Sequence, residues 1–113
     1  MENSPIRKGG EAVVVLVTTA TREEGETIAR LLVEDRLVAC VNVVPQVRSV
    51  FRWEGALSQE DETLLVIKSR RDRFPALVAA VKNLHSYRVP EIIALPIVEG
   101  SAEYLQWIDE ATY

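Results

Sequence analysis

Apolar residues recur along this chain in two rhythms, and the switches between them mark out a β-α-β-β-α-β order followed by a last helix. Ala12–Thr19 reads AVVVLVTT, a nearly unbroken β-branched run. Such a run predicts a strand covered on both faces and therefore central in a sheet. Thr21 and Glu24 then stand at capping-box spacing, with Glu24 expected to reach back to the Thr21 amide. Ile28, Leu31 and Leu32 supply the stripe of a helix over 22–35. From Val38 to Trp53 the chain is extended. Alternation holds at Val41 and Val43, breaks at Val44-Pro45, and resumes on the other phase through Val47, Ser49, Phe51 and Trp53. A phase break at a proline predicts a bulge on an edge strand. Glu54-Gly55 signals a turn, and Leu57–Ser69 returns as the partner strand. Phe74, Leu77, Val78, Val81 and Leu84 predict a second helix over 72–84, with Pro75 tolerated in its first turn. His85–Pro90 reads as a loop and Ile92–Val98 as a fourth strand, with Pro96 marking an edge position or a bulge. Ser101 caps a last helix that turns Leu105 and Ile108 inward.

This order, with right-handed crossovers, places two helices on one face of a four-stranded antiparallel sheet. The expected fold is α+β: a ferredoxin-like βαββαβ sandwich with a long protruding β-hairpin and a C-terminal helix. Residues 1–10, with Asn3, Ser4, Pro5, Gly9 and Gly10, are expected to form a flexible tail, and residues 11–113 a single domain. The fold hosts many functions and decides none. The hairpin is more specific. Val41–Trp53 runs about 43 Å at ~3.3 Å per residue, against a diameter of roughly 34 Å for a domain of this size. It overhangs its own domain and carries Val50, Phe51, Trp53 and Leu57 near its tip. Exposed aromatics on an edge hairpin are an aggregation hazard, so burial against other copies of the chain, a homo-oligomer, is expected.

Composition narrows the classes. The 113 residues are 48% hydrophobic and 27% charged, an ordinary globular balance. No apolar run approaches the ~20 residues of a membrane span, so no membrane partner is expected. The net charge of −4 leaves no overall footprint for nucleic acid, although Arg70, Arg71 and Arg73 could form a local basic patch. The first and third strands lack the aromatics that RNA-recognition sheets use. One cysteine, Cys40, excludes an internal disulfide, which fits a reducing, cytoplasmic setting. Cys40 itself reads as a small core hydrophobe.

Candidate chemistry is sparse. There is no phosphate-binding glycine loop, no G-x-S-x-G and no H-E-x-x-H. No nucleophile, base and orienting group can be named, so no enzyme is expected. Asp61 and Glu62 are adjacent, hence on opposite faces of an extended segment, and form no dyad. His85, the only histidine, reads either as a helix cap or as a metal ligand or cleft donor. Glu91 lies six residues on.

Taken in order, VVVLVTT, LVACVNVV, VFRWEG, HSYRVPEIIALPI and EYLQWI resemble the signatures of the CutA family, the divalent-cation tolerance proteins. The resemblance covers about residues 11–110. It implies a ferredoxin-like trimer assembled through long β-hairpins, and a protein that binds copper or other divalent cations. His85 and Glu91 match the family's histidine-to-glutamate segment, usually H-P-Y-x-x-P-E, with Ser86 here in place of the proline. They are the metal-ligand candidates this resemblance implies. Val17 stands where some members carry a cysteine, so a weakly bound Cu²⁺ or Zn²⁺ is expected rather than a tightly held soft metal. The cation would sit at an inter-subunit cleft. The alternative is a small-molecule sensing or signalling trimer similar to PII-type proteins, with no physiological metal.

Overall fold

The computed structural model describes residues 11–113; the tail expected over 1–10 lies outside the described residues. The elements run β1 (Ala12–Thr19), α1 (Arg22–Glu34), β2 (Cys40–Trp53), β3 (Ala56–Arg70), α2 (Phe74–Leu84), β4 (Ile92–Pro96) and α3 (Ala102–Ala111). Four strands form one antiparallel sheet in the order β2-β3-β1-β4. The β-branched run of β1 is central, as its pattern requires.

Val13, Val15 and Val17 of β1 and Leu65 and Ile67 of β3 point to one face. They pack with Ile28 and Leu32 of α1 and Leu77 and Val81 of α2. Helix α1 approaches the sheet closely at Gly25, where an added Cβ would lie 3.0 Å from Thr19 Oγ1 and 3.2 Å from Thr63 Cγ2. The opposite face is covered at one end only, where Ile108 and Leu105 of α3 pack on Ala12 and Ala39. Arg70 is buried there and donates to the Thr112 carbonyl. Asp72 lies beside Arg70, Arg71 pairs with Glu11, and Arg73 donates to the Arg36 carbonyl. The three arginines therefore form no open basic patch.

The bulge falls where the proline put it. Val44 pairs with Leu64 and Val47 with Glu62, so Pro45 and Gln46 together oppose Thr63. Thr63 Oγ1 donates to the Pro45 carbonyl at 2.9 Å and fixes the kink. β2 is an edge strand, so the amide that proline lacks leaves no ladder partner unpaired. Beyond the bulge the hairpin continues to a two-residue turn at Glu54 (φ 52°) and Gly55 (φ 82°), both in the left-handed region that matches strand twist. The domain measures 54 × 26 × 22 Å, and the hairpin accounts for its elongation.

Some expectations move. β4 ends at Pro96 rather than Val98, although the Ile97 amide still bonds the Ala12 carbonyl. A 3-10 turn at Arg71–Arg73 precedes α2, which begins at Phe74. Cys40 is half-buried rather than buried. Thr21 caps α1 by accepting from the Glu24 amide, but the Glu24 carboxylate leaves the helix instead of returning to Thr21.

Candidate functional site

The site is built where the hairpin meets the loop between α2 and β4. Trp53 pairs with Ala56, Phe51 with Ser58, Ser49 with Glu60 and Val47 with Glu62, so these side chains share one face. Thr18 of β1, paired with Leu64, lies on that face too. Tyr87, Arg88, Val89 and Glu91 of the loop close the other side. Between them lies a cleft of about 770 Å³. One end is acidic, with Glu60, Glu62 and Glu91. The other is apolar, with Val50, Phe51, Trp53 and Val89. Arg88 sits 5.9 Å over the Trp53 ring and pairs with Glu54.

Glu62 is the central group. It is only 8% exposed, and its Oε2 accepts from the Tyr87 phenol at 2.6 Å. Burial pushes the Tyr87 phenol well above its usual range, and the bond to Glu62 and the charges of Glu62, Glu60 and Glu24 push the same way. Tyr87 therefore stays protonated and donates. Burial, and then the charge of Glu62, raise the proton affinity of Glu91. A carboxylate whose charge raises the proton affinity of its neighbour makes a place where a positive charge is favoured.

His85 caps α2, and its side chain is 0% exposed. Its Nε2–H donates to the Thr18 carbonyl at 2.7 Å, and its Nδ1 accepts from the Tyr87 amide at 3.0 Å. The neutral ring with hydrogen on Nε2 satisfies both bonds. The expectation that His85 offers a ring nitrogen to a metal meets this geometry: both nitrogens are already engaged by the chain. Glu91, the second candidate, does line the cleft. Val17 is fully buried on the helix side of the sheet, turned away from the cleft. A thiolate at that position would not face this site. Cys40 lies half-buried in β2, beside the Tyr104 phenol. Among the described residues, no group of three or more His, Cys, Asp or Glu is placed to hold a metal ion.

Sequence reasoning missed Glu62 and Tyr87. A usable signal was present: Glu62 is in phase with Leu64 and Val66, so it is a carboxylate on a sheet face rather than half of a solvated acidic pair.

A small α+β domain with an elongated hairpin and an acidic-to-aromatic cleft is thus defined. The family of CutA1 divalent ion tolerance proteins matches residues 13–111. The chain is 52% identical over 99 residues to the divalent-cation tolerance protein CutA of Thermus thermophilus, spanning 88% of this chain and 96% of that one. It is 40% identical over 103 residues to the human protein CutA, spanning 91% of this chain but 58% of the human protein. A solved divalent cation tolerance protein from Thermus thermophilus superimposes with a TM-score of 0.88 at 50% identity, covering 90% of this chain and 99% of that one. The crystal structure of CutA1 from Oryza sativa gives 0.89 at 42%, covering 93% and 96%. The chain belongs to the CutA1 divalent ion tolerance family. No helix among the described residues is long and apolar enough to cross a membrane.

Proposed function

We propose that this chain binds divalent cations as a homotrimer, with the ion taken at the acidic end of the cleft by Glu62 and Glu91. The observation that carries the reading is Glu62 itself. It is a largely buried carboxylate that faces the cleft, whose Oε2 holds Tyr87 and which raises the proton affinity of Glu91. A buried carboxylate with a second, exposed carboxylate beside it gains from a bound cation. His85 stands behind the pair as an orienting residue. Two carboxylates leave most of a coordination sphere to water or to a neighbouring copy, which fits a weakly bound Cu²⁺ or Zn²⁺. The trimer reading rests on the ferredoxin-like strand order and on exposed apolar side chains: Val50, Phe51, Trp53 and Leu57 of the hairpin, and Ile93 and Leu95 of β4. A reducing, cytoplasmic setting belongs to the same reading. Calorimetric titration of the pure protein with Cu²⁺ and with Zn²⁺ tests it. Saturable binding that is lost in Glu62→Gln/Glu91→Gln supports the site; no binding, or binding indifferent to that change, overturns it.

The apolar wall supports a second reading, that of a small-molecule sensing trimer without a physiological metal. A cleft of about 770 Å³ lies within the size range of small-ligand pockets. A thermal-shift screen of metal-free protein against metabolites separates the two: stabilisation by an organic ligand with no response to metal favours the sensor.

A further inference from the structure

We propose that Glu24 is a positioning residue for the cleft: from the first turn of α1 it fixes the backbone of the 85–91 loop so that Tyr87 and Glu91 meet Glu62. The inference rests on the cation reading of that cleft. Glu24 is 17% exposed in its side chain and does not line the cleft, so apart from its charge, which Tyr87 feels, its influence passes through the loop. Its Oε2 accepts from the Ser86 amide at 2.6 Å and its Oε1 from the Ser86 hydroxyl at 3.0 Å. Both oxygens grip one residue, which fixes its direction as well as its distance.

The neighbours of Ser86 are held from other elements. His85 is tied to Thr18 of β1, and Tyr87 to Glu62 of β3 and back to the His85 ring. Three consecutive loop residues are therefore pinned by three separate elements, and Glu24 is the anchor that lies outside the sheet. A carboxylate serving only the helix dipole needs no such partner; it is favoured at a helix start wherever its side chain points. Glu24 Oε2 also lies 3.6 Å from His85 Nδ1, on the side of the ring where the Tyr87 amide donates.

Glu24→Ala removes both bonds. Glu24→Gln keeps an amide oxygen for the Ser86 N–H and an amide NH₂ for its hydroxyl. A third variant stiffens the loop by another route. His85 has φ −86° and ψ 143°, the extended region that a residue before proline adopts. The preceding residue thus tolerates proline at 86, and Ser86→Pro would fix the backbone there while removing the amide that Glu24 holds.

Zn²⁺ titration by calorimetry and amide hydrogen exchange at Tyr87 are read on all variants. In Glu24→Ala, Zn²⁺ affinity falls by about ten-fold, the scale of lost outer-shell support, and the Tyr87 amide exchanges faster. Glu24→Gln stays near wild type in both. In a Ser86→Pro background, Glu24→Ala changes neither. Wild-type affinity and protection in Glu24→Ala overturn the proposal, as does a Glu24→Gln variant as weak as Glu24→Ala. If Glu24→Ala does not fold, Ser86→Ala, which leaves α1 intact and removes the hydroxyl contact, must show a smaller loss in the same two readouts; none overturns the proposal. Should wild type bind no Zn²⁺, the cation reading fails, and Tyr87 exchange in the same variants still decides the positioning role.

Discussion

The phenol of Tyr87 donates to Glu62 Oε2 across 2.6 Å, joining the loop after α2 to the middle of β3. That bond holds a buried carboxylate under a loop, with Glu91 as a second, exposed acid on the same cleft.

Glu91 sets a pH dependence. Its proton affinity in the folded state is raised by burial and by Glu62. Above the ordinary carboxylate range the folded protein therefore holds more protons than the unfolded one. This contribution to stability is present at low pH and is lost as pH rises through the raised value. Glu91→Gln should flatten that decline in metal-free protein, as read by urea unfolding from pH 4.5 to 8. Zn²⁺ affinity in wild type should rise over the same window, because the ion competes with the proton. A stability profile identical in wild type and variant would remove Glu91 from this account.

His85→Ala strips the ring that satisfies the Thr18 carbonyl and the Tyr87 amide and empties a fully buried position. A loss of about 2–4 kcal/mol is expected in urea unfolding at pH 7, together with weaker Zn²⁺ binding. Full stability with selective loss of metal binding would return His85 to the role of direct ligand.

Trp53 is 45% exposed beside the hairpin turn. Trp53→Ala should weaken self-association by about 2 kcal/mol per interface, the scale of a buried aromatic anchor. Sedimentation equilibrium measures it. A wild-type protein that sediments as a 12.7 kDa species at micromolar concentration would end the trimer reading.

Gly25→Ala inverts the usual preference. In a helix interior, alanine is favoured over glycine by about 1 kcal/mol. Here the new methyl meets Thr19 Oγ1, Thr63 and Leu65, and Thr19 Oγ1 is itself tied to the Thr21 carbonyl. The crowding costs about 1–3 kcal/mol, so a net loss of about 1 kcal/mol is expected by thermal or urea unfolding. A more stable variant would show that α1 can lift from the sheet without penalty.

Local chemistry made the frame of this molecule legible. The apolar run of β1 marked the sheet centre, Thr21 the start of α1, and Pro45 the bulge, because each acts within a few residues of itself. The cleft was half legible. Glu91 lines it, and His85 stands directly behind it, but the engagement of both ring nitrogens depends on Thr18, far away in sequence. Tyr87 and Glu62 meet across two elements. Glu24 had a sufficient local explanation as half of a capping box, which concealed its reach to Ser86. Tertiary partners decided these three residues, and no spacing along the chain encodes them.

The central place of β1 has a consequence for biosynthesis. Among the described residues β1 pairs with β3 and β4 and with no other strand. This nearly unbroken apolar strand therefore leaves the ribosome before both of its partners: one edge waits for β3, complete at Arg70, and the other for β4, complete at Pro96. The β2–β3 hairpin, whose strands lie next to each other in sequence, can zip from its turn in the meantime. Until β3 has been made, a nascent chain of this protein carries AVVVLVTT with both edges unpaired, and that segment is where a holding chaperone would be needed.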